Sequence, residues 1–284
     1  MKEITEPEML HRAAAYCSTA ERCIQDVQKK IDAAGLPPDA SERIIARLQR
    51  NYDLFRNRTG RFCGDSGFPN NFAQEVSLFM KGYRISVIRH GRTAANDKGI
   101  YIGRTDFPLS DKGAAELAGK MDEFQYPNVA RVYSSPLRRC TETAEILFPD
   151  VQIQTVDNLI EMDFGAFEGK SADELVEKPE FKEWLKGGMD CRPPQGESVK
   201  EVQLRIFKAL REIITDMMRE DLLHCAMITH GGMIANMLAG FGLPKISPQE
   251  LQCQPGEGFD IYVTADLWQR SQAFEILGLV PYSR

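Results

Sequence analysis

Residues 84–93 form the stretch that decides the fold, and they read Arg84-Ile85-Ser86-Val87-Ile88-Arg89-His90-Gly91-Arg92-Thr93. The apolar residues in its first half predict a short buried strand, and polar residues begin where that strand should end. The second half suits phosphate chemistry. Glycine allows a tight turn, guanidinium groups match phosphate oxygens and imidazole can attack phosphorus. The alternative interpretation is a strand end with a solvated basic cluster.

From Tyr83 onward, strand and helix patterns alternate along the chain. The predicted strands are residues 84–88, 130–134, 151–155 and 225–229. The predicted helices lie near residues 110–122, 138–147, 171–177, 180–186, 197–219 and 232–240. This order is typical of a three-layer α/β/α sandwich, in which helices cover both faces of a mostly parallel sheet. Near the C-terminus, residues 256–262 and 274–277 predict two edge strands paired as a hairpin.

Three of these predicted strands end in residues that suit an anion site. The first ends at Arg89-His90-Gly91. The second leads into Ser134-Ser135-Pro136-Leu137-Arg138-Arg139, which opens a helix with two arginines in its first turn. The third leads into Thr229-His230-Gly231-Gly232, which also opens a helix. Because ligands bind outside the carboxyl ends of such strands, and helix N-termini favour anions, the three segments predict one common site.

The composition of the 284 residues is that of a globular protein, since 43% are hydrophobic and 27% are charged. The net charge of −6 argues against a nucleic-acid partner, because phosphate backbones require a basic surface. The seven cysteines are scattered without CxxC pairs, so neither a disulfide framework nor a zinc site is predicted. Because no signal segment or membrane-spanning run is found, we expect a cytoplasmic location and no membrane partner.

Residues 1–50 predict a small helical appendage. Residues 8–34 have the apolar spacing of one helix, which ends at Gly35, and a second short helix follows. The residues that carry a family likeness are Tyr16-Cys17-Ser18, Glu21-Arg22-Cys23, Val27, Lys30, Gly35-Leu36 and Ile44-Ile45-Ala46-Arg47-Leu48. They resemble the first helical repeat of RecX-type recombinase regulators. Residues 51–82 lack periodicity and are predicted to be a linker or loosely ordered segment, which leaves residues 83–284 as the catalytic domain.

The triplet Arg89-His90-Gly91 is followed by further motifs along the chain. They are Thr93, Asn96, Gly103-Arg104-Thr105-Asp106, Pro108-Leu109-Ser110-Asp111-Lys112-Gly113, the Ser-Ser-x-Leu-x-Arg stretch ending in Arg139, Leu159-Ile160-Glu161-Met162-Asp163-Phe164-Gly165-Ala166-Phe167-Glu168-Gly169, and Thr229-His230-Gly231-Gly232. Jointly these motifs resemble the histidine phosphatase superfamily, also called the phosphoglycerate mutase-like fold. The resemblance runs from about Arg84 to the C-terminus, and it implies an enzyme that acts on phosphate esters.

The resemblance also implies roles for individual residues. His90 would be the nucleophile that becomes phosphohistidine, and Glu161 would donate a proton to the leaving alcohol. Arg92 takes a position that often varies in the family. The full set of substrate-binding residues implied here is Arg89, Arg139, His230, Asn96, Arg92 and Gly231.

Physical chemistry supports the same set. Phosphoryl transfer requires positioning and charge stabilisation on three equatorial oxygens, which two guanidinium groups and an imidazolium at His230 can supply. No metal and no cofactor are therefore expected. Positive neighbours should keep His90 neutral, and partial burial beside Met162 and Phe164 should raise the pKa of Glu161 so that it arrives protonated.

Three polar residues have two interpretations each. Glu168 is either a substrate contact or a surface charge. Glu197 and Ser198 either face the substrate or cap the long helix that follows them.

The choice of reaction and substrate rests on finer features. The segment Gly169–Leu175 is short and acidic where mutases of the family carry a longer Arg-rich stretch, which favours a phosphatase over a phosphoglycerate mutase or sugar bisphosphatase. Residues 161–169 and 196–198 resemble the α-ribazole phosphatase and broad-specificity branch, so α-ribazole 5′-phosphate of cobalamin biosynthesis is the leading substrate candidate. Phe107, Phe164 and Phe167 either stack on a flat base or fill the core. A regulatory or binding protein that uses the N-terminal helices is the non-enzymatic alternative.

Overall fold

The computed structural model describes residues 82–246 and 251–283, together with the isolated positions 32, 41 and 42. The predicted appendage (1–50) and linker (51–82) lie outside the described residues, apart from those positions and Gly82, where the first strand begins. The compact unit that contains most of the described residues covers Tyr83–Val263 and Leu267–Arg284. The α-helices and strands of the described region in chain order are β1 (Gly82–Arg89), α1 (Ala94–Asp97), α2 (Asp111–Glu123), β2 (Phe124–Gln125), β3 (Val132–Ser134), α3 (Arg138–Leu147), β4 (Ile153–Thr155), α4 (Ala172–Leu175), α5 (Pro179–Leu185), α6 (Val199–Glu220), β5 (His224–Thr229), α7 (Gly231–Phe241), β6 (Gly242–Leu243), β7 (Gly258–Thr264), α8 (Ala265–Ser271), β8 (Phe274–Val280) and β9 (Tyr282–Ser283).

Seven strands of the described region form one sheet in the order β4-β3-β5-β1-β7-β8-β6. Strand β5 pairs in parallel with both β1 and β3, and β3 pairs in parallel with β4. The register places Arg89 opposite Thr229 and Ser134 opposite Ile228, so these strands end at one edge of the sheet. The mostly parallel sheet confirms the α/β fold predicted from the alternating pattern.

Strand β5 separates two hydrophobic cores. Cys225 and Met227 belong to the core that includes residues of α6 and α7, whereas Ala226 and Ile228 belong to the core that includes residues of α2 and α3. All four side chains are fully buried. Because successive side chains of a strand point to opposite faces, helices cover the sheet on both sides.

The two C-terminal strands pair antiparallel, as the hairpin prediction requires. Their placement at the edge is wrong, because β7 lies between β1 and β8, and β8 lies between β7 and β6. The connection between them contains helix α8. The edge strand on this side of the sheet is β6, whose two residues are too few to produce a recognisable pattern.

Helix α6 begins with a capping box at Ser198. The buried Ser198 hydroxyl accepts a hydrogen bond from the Glu201 backbone N–H, and the Glu201 carboxylate accepts one from the Ser198 backbone N–H. The helix then runs for 22 residues to Glu220, and Asp221 caps its C-terminus in the left-handed conformation. Of the two interpretations of Ser198, the structure shows the helix cap.

The described region was searched for membrane-spanning helices, disulfide bonds and metal-binding clusters. No helix there combines the length and apolar character needed to cross a membrane. Cys140, Cys191, Cys225 and Cys253 carry free thiols. Among the described residues, no group of three or more His, Cys, Asp or Glu side chains is arranged to hold a metal ion.

Candidate active site

A cavity of about 150 Å³ opens at the carboxyl ends of the parallel strands. Strand β1 ends at Arg89, β3 leads to Arg139, β5 leads to Gly231, and Glu161 follows β4. The residues that line the cavity are Arg89, His90, Thr93, Asn96, Ile100, Tyr101, Ile102, Arg139, Glu161, Phe164, Gly231 and Gly232. Six of the eight residues predicted for the site therefore meet at one cavity, and Arg92 and His230 are not among its lining residues.

The buried His90 ring has a defined tautomer. Its Nδ1 lies 2.7 Å from the carbonyl oxygen of Gly91. Because a carbonyl oxygen can only accept, Nδ1 carries the proton and Nε2 keeps its lone pair. Burial, reinforced by the positive charges of Arg139 and Arg89, lowers the pKa of His90 to about 3. The ring is therefore neutral near neutral pH, as predicted.

Arg139 is held by carbonyl oxygens of the loop that precedes α2. Its Nη1 donates to the Thr105 carbonyl at 2.9 Å and its Nη2 donates to the Gly103 carbonyl at 3.0 Å. The side chain is almost completely buried, and this burial lowers its pKa. A guanidinium fixed in this way presents a preorganised positive charge to the cavity.

Glu168 holds the same loop. Its carboxylate accepts hydrogen bonds from the backbone N–H groups of Gly103 and Thr105, at 2.9 and 3.0 Å, and from the Thr105 hydroxyl at 2.8 Å. Glu168 does not line the cavity. Neither interpretation made from the sequence describes this arrangement, in which the carboxylate shapes the loop that positions Arg139.

His230 lies behind the cavity wall and is fully buried. Its Nδ1 accepts a hydrogen bond from Arg139 Nε at 3.3 Å, so its proton is on Nε2, which donates to the Ser135 hydroxyl at 2.9 Å. Burial, with the neighbouring charges of His90 and Arg139, lowers the pKa of His230 well below its ordinary value. The imidazolium expected at His230 is therefore disfavoured, and a neutral ring braces Arg139 instead.

Glu161 is buried against the N-terminus of α7. Its carboxylate accepts hydrogen bonds from the backbone N–H groups of Met162 at 2.8 Å and Gly232 at 3.3 Å. This approach favours glycine at 232, because a Cβ there would lie 2.8 Å from Glu161 Oε1 and would force the carboxylate to move. Burial raises the pKa of Glu161 against the opposing effect of these donors, which confirms the predicted direction.

Asn96 and Thr93 form the capping box of the short helix α1. The Asn96 Oδ1 accepts a hydrogen bond from the Thr93 backbone N–H at 3.0 Å. Because a backbone N–H can only donate, the amide oxygen is committed to the cap and the Nδ2 group is the end that can donate to a ligand. Asn96 lines the cavity, as predicted.

Arg92 and Arg89 differ in their surroundings although they flank the same histidine. Arg92 forms ion pairs with Glu116 at 3.1 Å and Asp97 at 3.4 Å. Arg89 lines the cavity and donates to the Cys253 carbonyl at 2.8 Å. The structure thus turns Arg92 away from the predicted substrate site, because two carboxylates outside the cavity pair with it.

One wall of the cavity is apolar. Ile100, Ile102, Tyr101 and Phe164 line it. The Tyr101 ring packs against Phe164 with ring centroids 5.3 Å apart and against Trp184 of α5 at 5.6 Å. A wall of this kind suits the carbon skeleton of a ligand whose anionic end meets the arginines.

Phe167 and Phe107 do not contribute to this wall. Phe167 is buried in a cluster with Leu175 and Phe181, so it fills a core. Phe107 is not among the lining residues. Of the three phenylalanines considered from the sequence, Phe164 is the one at the cavity.

Comparison with known proteins identifies the family of this fold and site. The family model of the histidine phosphatase superfamily (branch 1) matches residues 85–267. The chain therefore belongs to the histidine phosphatase superfamily.

Two relatives narrow the class of enzyme. A Hydrogenobacter thermophilus protein provisionally named phosphoserine phosphatase 2 is 31% identical over 170 residues, which cover 57% of this chain and 82% of that protein. An acid phosphatase from Mycobacterium tuberculosis is 32% identical over 156 residues, which cover 54% of this chain and 72% of that protein. With the family match, these relatives make the protein an enzyme that hydrolyses phosphate esters.

Solved structures confirm the phosphoglycerate mutase-like fold. An α-ribazole phosphatase from Shigella flexneri matches with a TM-score of 0.56 at 21% identity, covering 69% of this chain and 95% of that one. A phosphoglycerate mutase from Bacillus anthracis matches with a TM-score of 0.56 at 19% identity, covering 70% of this chain and 92% of that one. At these identities the likeness concerns the fold.

Residues 100–102 line the cavity but were not predicted from the sequence, and neither was Arg205 beside it. Tyr101 follows no strand and belongs to no motif that marks a pocket wall. Arg205 lies in α6 and its partner Glu197 precedes that helix, so helical spacing does not predict their ion pair.

Proposed function

We propose that this enzyme hydrolyses small phosphate monoesters through a phosphohistidine at His90, without a metal ion. The observation that carries the proposal is the His90 ring. Its Nδ1–H is held by the Gly91 carbonyl, which leaves the Nε2 lone pair for attack beside Arg89 and Arg139. A neutral imidazole with a fixed tautomer is the form that a nucleophilic histidine requires.

The reaction has two steps. In the first, His90 Nε2 forms a bond to phosphorus while the bond from phosphorus to the ester oxygen breaks, and protonated Glu161 donates its proton to the leaving oxygen. In the second, the oxygen of a water molecule bonds to phosphorus while the bond from phosphorus to His90 Nε2 breaks, Glu161 takes a proton from that water, and inorganic phosphate leaves. Glu161 serves both steps because its raised pKa favours the acid before the first step.

Charge on the phosphoryl oxygens is stabilised by groups that are already in place. Arg89 and Arg139 supply guanidinium donors, and Asn96 supplies an amide. Gly231 opens α7, whose N-terminus carries partial positive charge. His230 acts on the phosphate through Arg139, which it braces.

The described cavity supports a substrate with one phosphate and an apolar portion. Arg89 and Arg139 are the cationic side chains among its lining residues, and Ile100, Tyr101, Ile102 and Phe164 supply its apolar part. α-Ribazole 5′-phosphate, with its flat base, fits this division and stays the leading candidate, which would place the enzyme in cobalamin biosynthesis in the cytoplasm.

Trapping the intermediate tests the nucleophile. Wild-type enzyme quenched during turnover of a ³²P-labelled ester should carry acid-labile, base-stable label, and His90→Ala should carry none. Activity should persist in the presence of a chelator. Equal labelling of wild type and His90→Ala would reject His90 as nucleophile and direct attention to His230.

A panel of phosphate esters tests which substrate the enzyme prefers. We expect kcat/KM for α-ribazole 5′-phosphate to exceed that for phosphoserine, phosphoglycerates, sugar phosphates and nucleotides by at least about tenfold. A smaller preference would leave a general phosphatase. Interconversion of phosphoglycerates without net phosphate release would instead establish a mutase.

A further inference from the structure

Arg205 and Glu197 form a partly buried ion pair beside the segment that carries Glu161. Arg205 Nε and Nη2 donate to the two oxygens of the Glu197 carboxylate at 2.7 and 2.8 Å. The side chains are 15% and 18% exposed, respectively. Neither residue lines the cavity, so the pair has no direct contact with a ligand there.

The remaining donors of Arg205 go to the backbone around Glu161. Nη1 donates to the carbonyl oxygens of Asn158 at 3.0 Å and Ile160 at 2.9 Å, and Nη2 lies 3.4 Å from the carbonyl oxygen of Glu161 itself. On the other side, the Glu197 carboxylate accepts from the backbone N–H of Asp163 at 2.9 Å. The pair therefore holds the chain both before and after Glu161.

This segment needs such support because it has no regular structure of its own. Residues 160–164 lie between two short 3₁₀-helices, Asp157–Leu159 and Gly165–Phe167. An arginine is suited to the task, since its planar fork can donate to several acceptors at once, whereas lysine presents its donors from a single nitrogen.

We propose that Arg205, paired with Glu197, is a positioning residue for the general acid Glu161. Arg205 holds the backbone so that the Glu161 carboxyl meets the leaving oxygen. The proposal rests on the role of Glu161 in the proposed reaction. It predicts that loss of Arg205 weakens proton donation to the leaving oxygen in the first step, which kcat/KM reports, and spares phosphate binding by Arg89 and Arg139.

The test compares Arg205→Lys with Arg131→Lys. Arg131 is a matched control, because it is also largely buried, at 12% exposure, and pairs with carboxylates, those of Asp216 and Glu220. It is not a lining residue of the cavity. Each variant is assayed with p-nitrophenyl phosphate, whose leaving group needs little protonation, and with an alkyl phosphate, whose leaving group needs an acid.

A positioning role predicts a selective loss. Arg205→Lys should lower kcat/KM for the alkyl phosphate by about 10²-fold, the size of effect that a displacement of about 1 Å produces. For p-nitrophenyl phosphate the loss should stay below about tenfold. Arg131→Lys should lower Tm and leave the ratio of the two rates unchanged. Adding Arg205→Lys to Glu161→Gln should produce no further selective loss, because the acid is already absent.

Other outcomes would overturn the proposal, and they distinguish a failure of the role of Arg205 from a failure of the acid role of Glu161. Equal losses for both substrates in Arg205→Lys, or a selective loss that adds to that of Glu161→Gln, would show a purely structural role for Arg205. Should Glu161→Gln itself lose both activities equally, the acid assignment fails and the positioning role fails with it. If Arg205→Lys does not fold, Glu197→Gln weakens the same fork while keeping an acceptor for Asp163. Glu197 also pairs with Arg104 at 3.1 Å, so Arg104→Gln, which removes that second pair and keeps the fork, is assayed beside it.

Discussion

The variant Glu168→Gln should impair phosphate binding by Arg139 without affecting proton donation by Glu161. In the native protein, Glu168 Oε2 accepts from the Gly103 backbone N–H at 2.9 Å, and Oε1 accepts from the backbone N–H and hydroxyl of Thr105. A glutamine with its oxygen at the Oε1 position places an NH₂ group against the N–H of Gly103. Two donors then face each other, and the Gly103 N–H keeps only its longer contact to the Oε1 position, which is 3.1 Å in the native protein, so the loop is held less firmly.

The magnitude follows from the lost hydrogen bond. A bond to a charged acceptor contributes about 1.5–3 kcal/mol, and we take about 2 kcal/mol because part of this loop is exposed. Since the carbonyls of Gly103 and Thr105 hold Arg139, a loss of ~2 kcal/mol at the transition state corresponds to about 30-fold in kcat/KM. The loss should be the same for aryl and alkyl phosphates, because Arg139 binds the phosphoryl group rather than the leaving group.

The assay measures kcat/KM for both substrate types, together with inhibition by orthovanadate as a mimic of the transferred group. Glu142→Gln is the matched control. Glu142 accepts from Leu109 N–H at 2.7 Å in the same loop but bonds to neither Gly103 nor Thr105. Unchanged vanadate affinity in Glu168→Gln, or a loss confined to alkyl phosphates, would refute the proposed link from Glu168 to Arg139.

Two further predictions concern pH. For alkyl phosphates, kcat/KM should fall toward pH 3, because the pKa of His90 is about 3 and the protonated ring cannot attack phosphorus. It should also fall as pH rises past the raised pKa of Glu161, because Glu161 must be protonated to act as the acid. A pH–rate profile of Glu161→Gln that keeps the alkaline decline would contradict this. Away from the site, burial and the charge of Arg84 lower the pKa of His224 from 6.5 to about 4. Between these two pH values the folded state binds fewer protons than the unfolded state. The free energy of unfolding should therefore fall as pH is lowered from 6.5 to about 4. In urea titrations at several pH values, His224→Gln should make this decline shallower, and an unchanged slope would reject the contribution of His224.

The sequence by itself determined the fold class and the edge of the sheet where chemistry is placed. Buried strands followed at once by Arg89-His90-Gly91 and Thr229-His230-Gly231 are local patterns, and parallel strands necessarily bring their carboxyl ends to one edge. The raised pKa of Glu161 was also predictable, because its apolar neighbours along the chain indicate burial.

Only the tertiary structure decided which of these side chains reach the cavity and what holds them there. Arg92 turns to Glu116, 24 residues away, a partner that the local sequence does not indicate. Glu168 binds Gly103 across 65 residues, and Arg205 reaches the carbonyl of Glu161 across 44. Local patterns specify where a strand ends, but the direction of a side chain depends on which distant partner offers it a hydrogen bond or charge once water is excluded. Those partners are brought together by packing, which is why the support around the site had to be found in three dimensions.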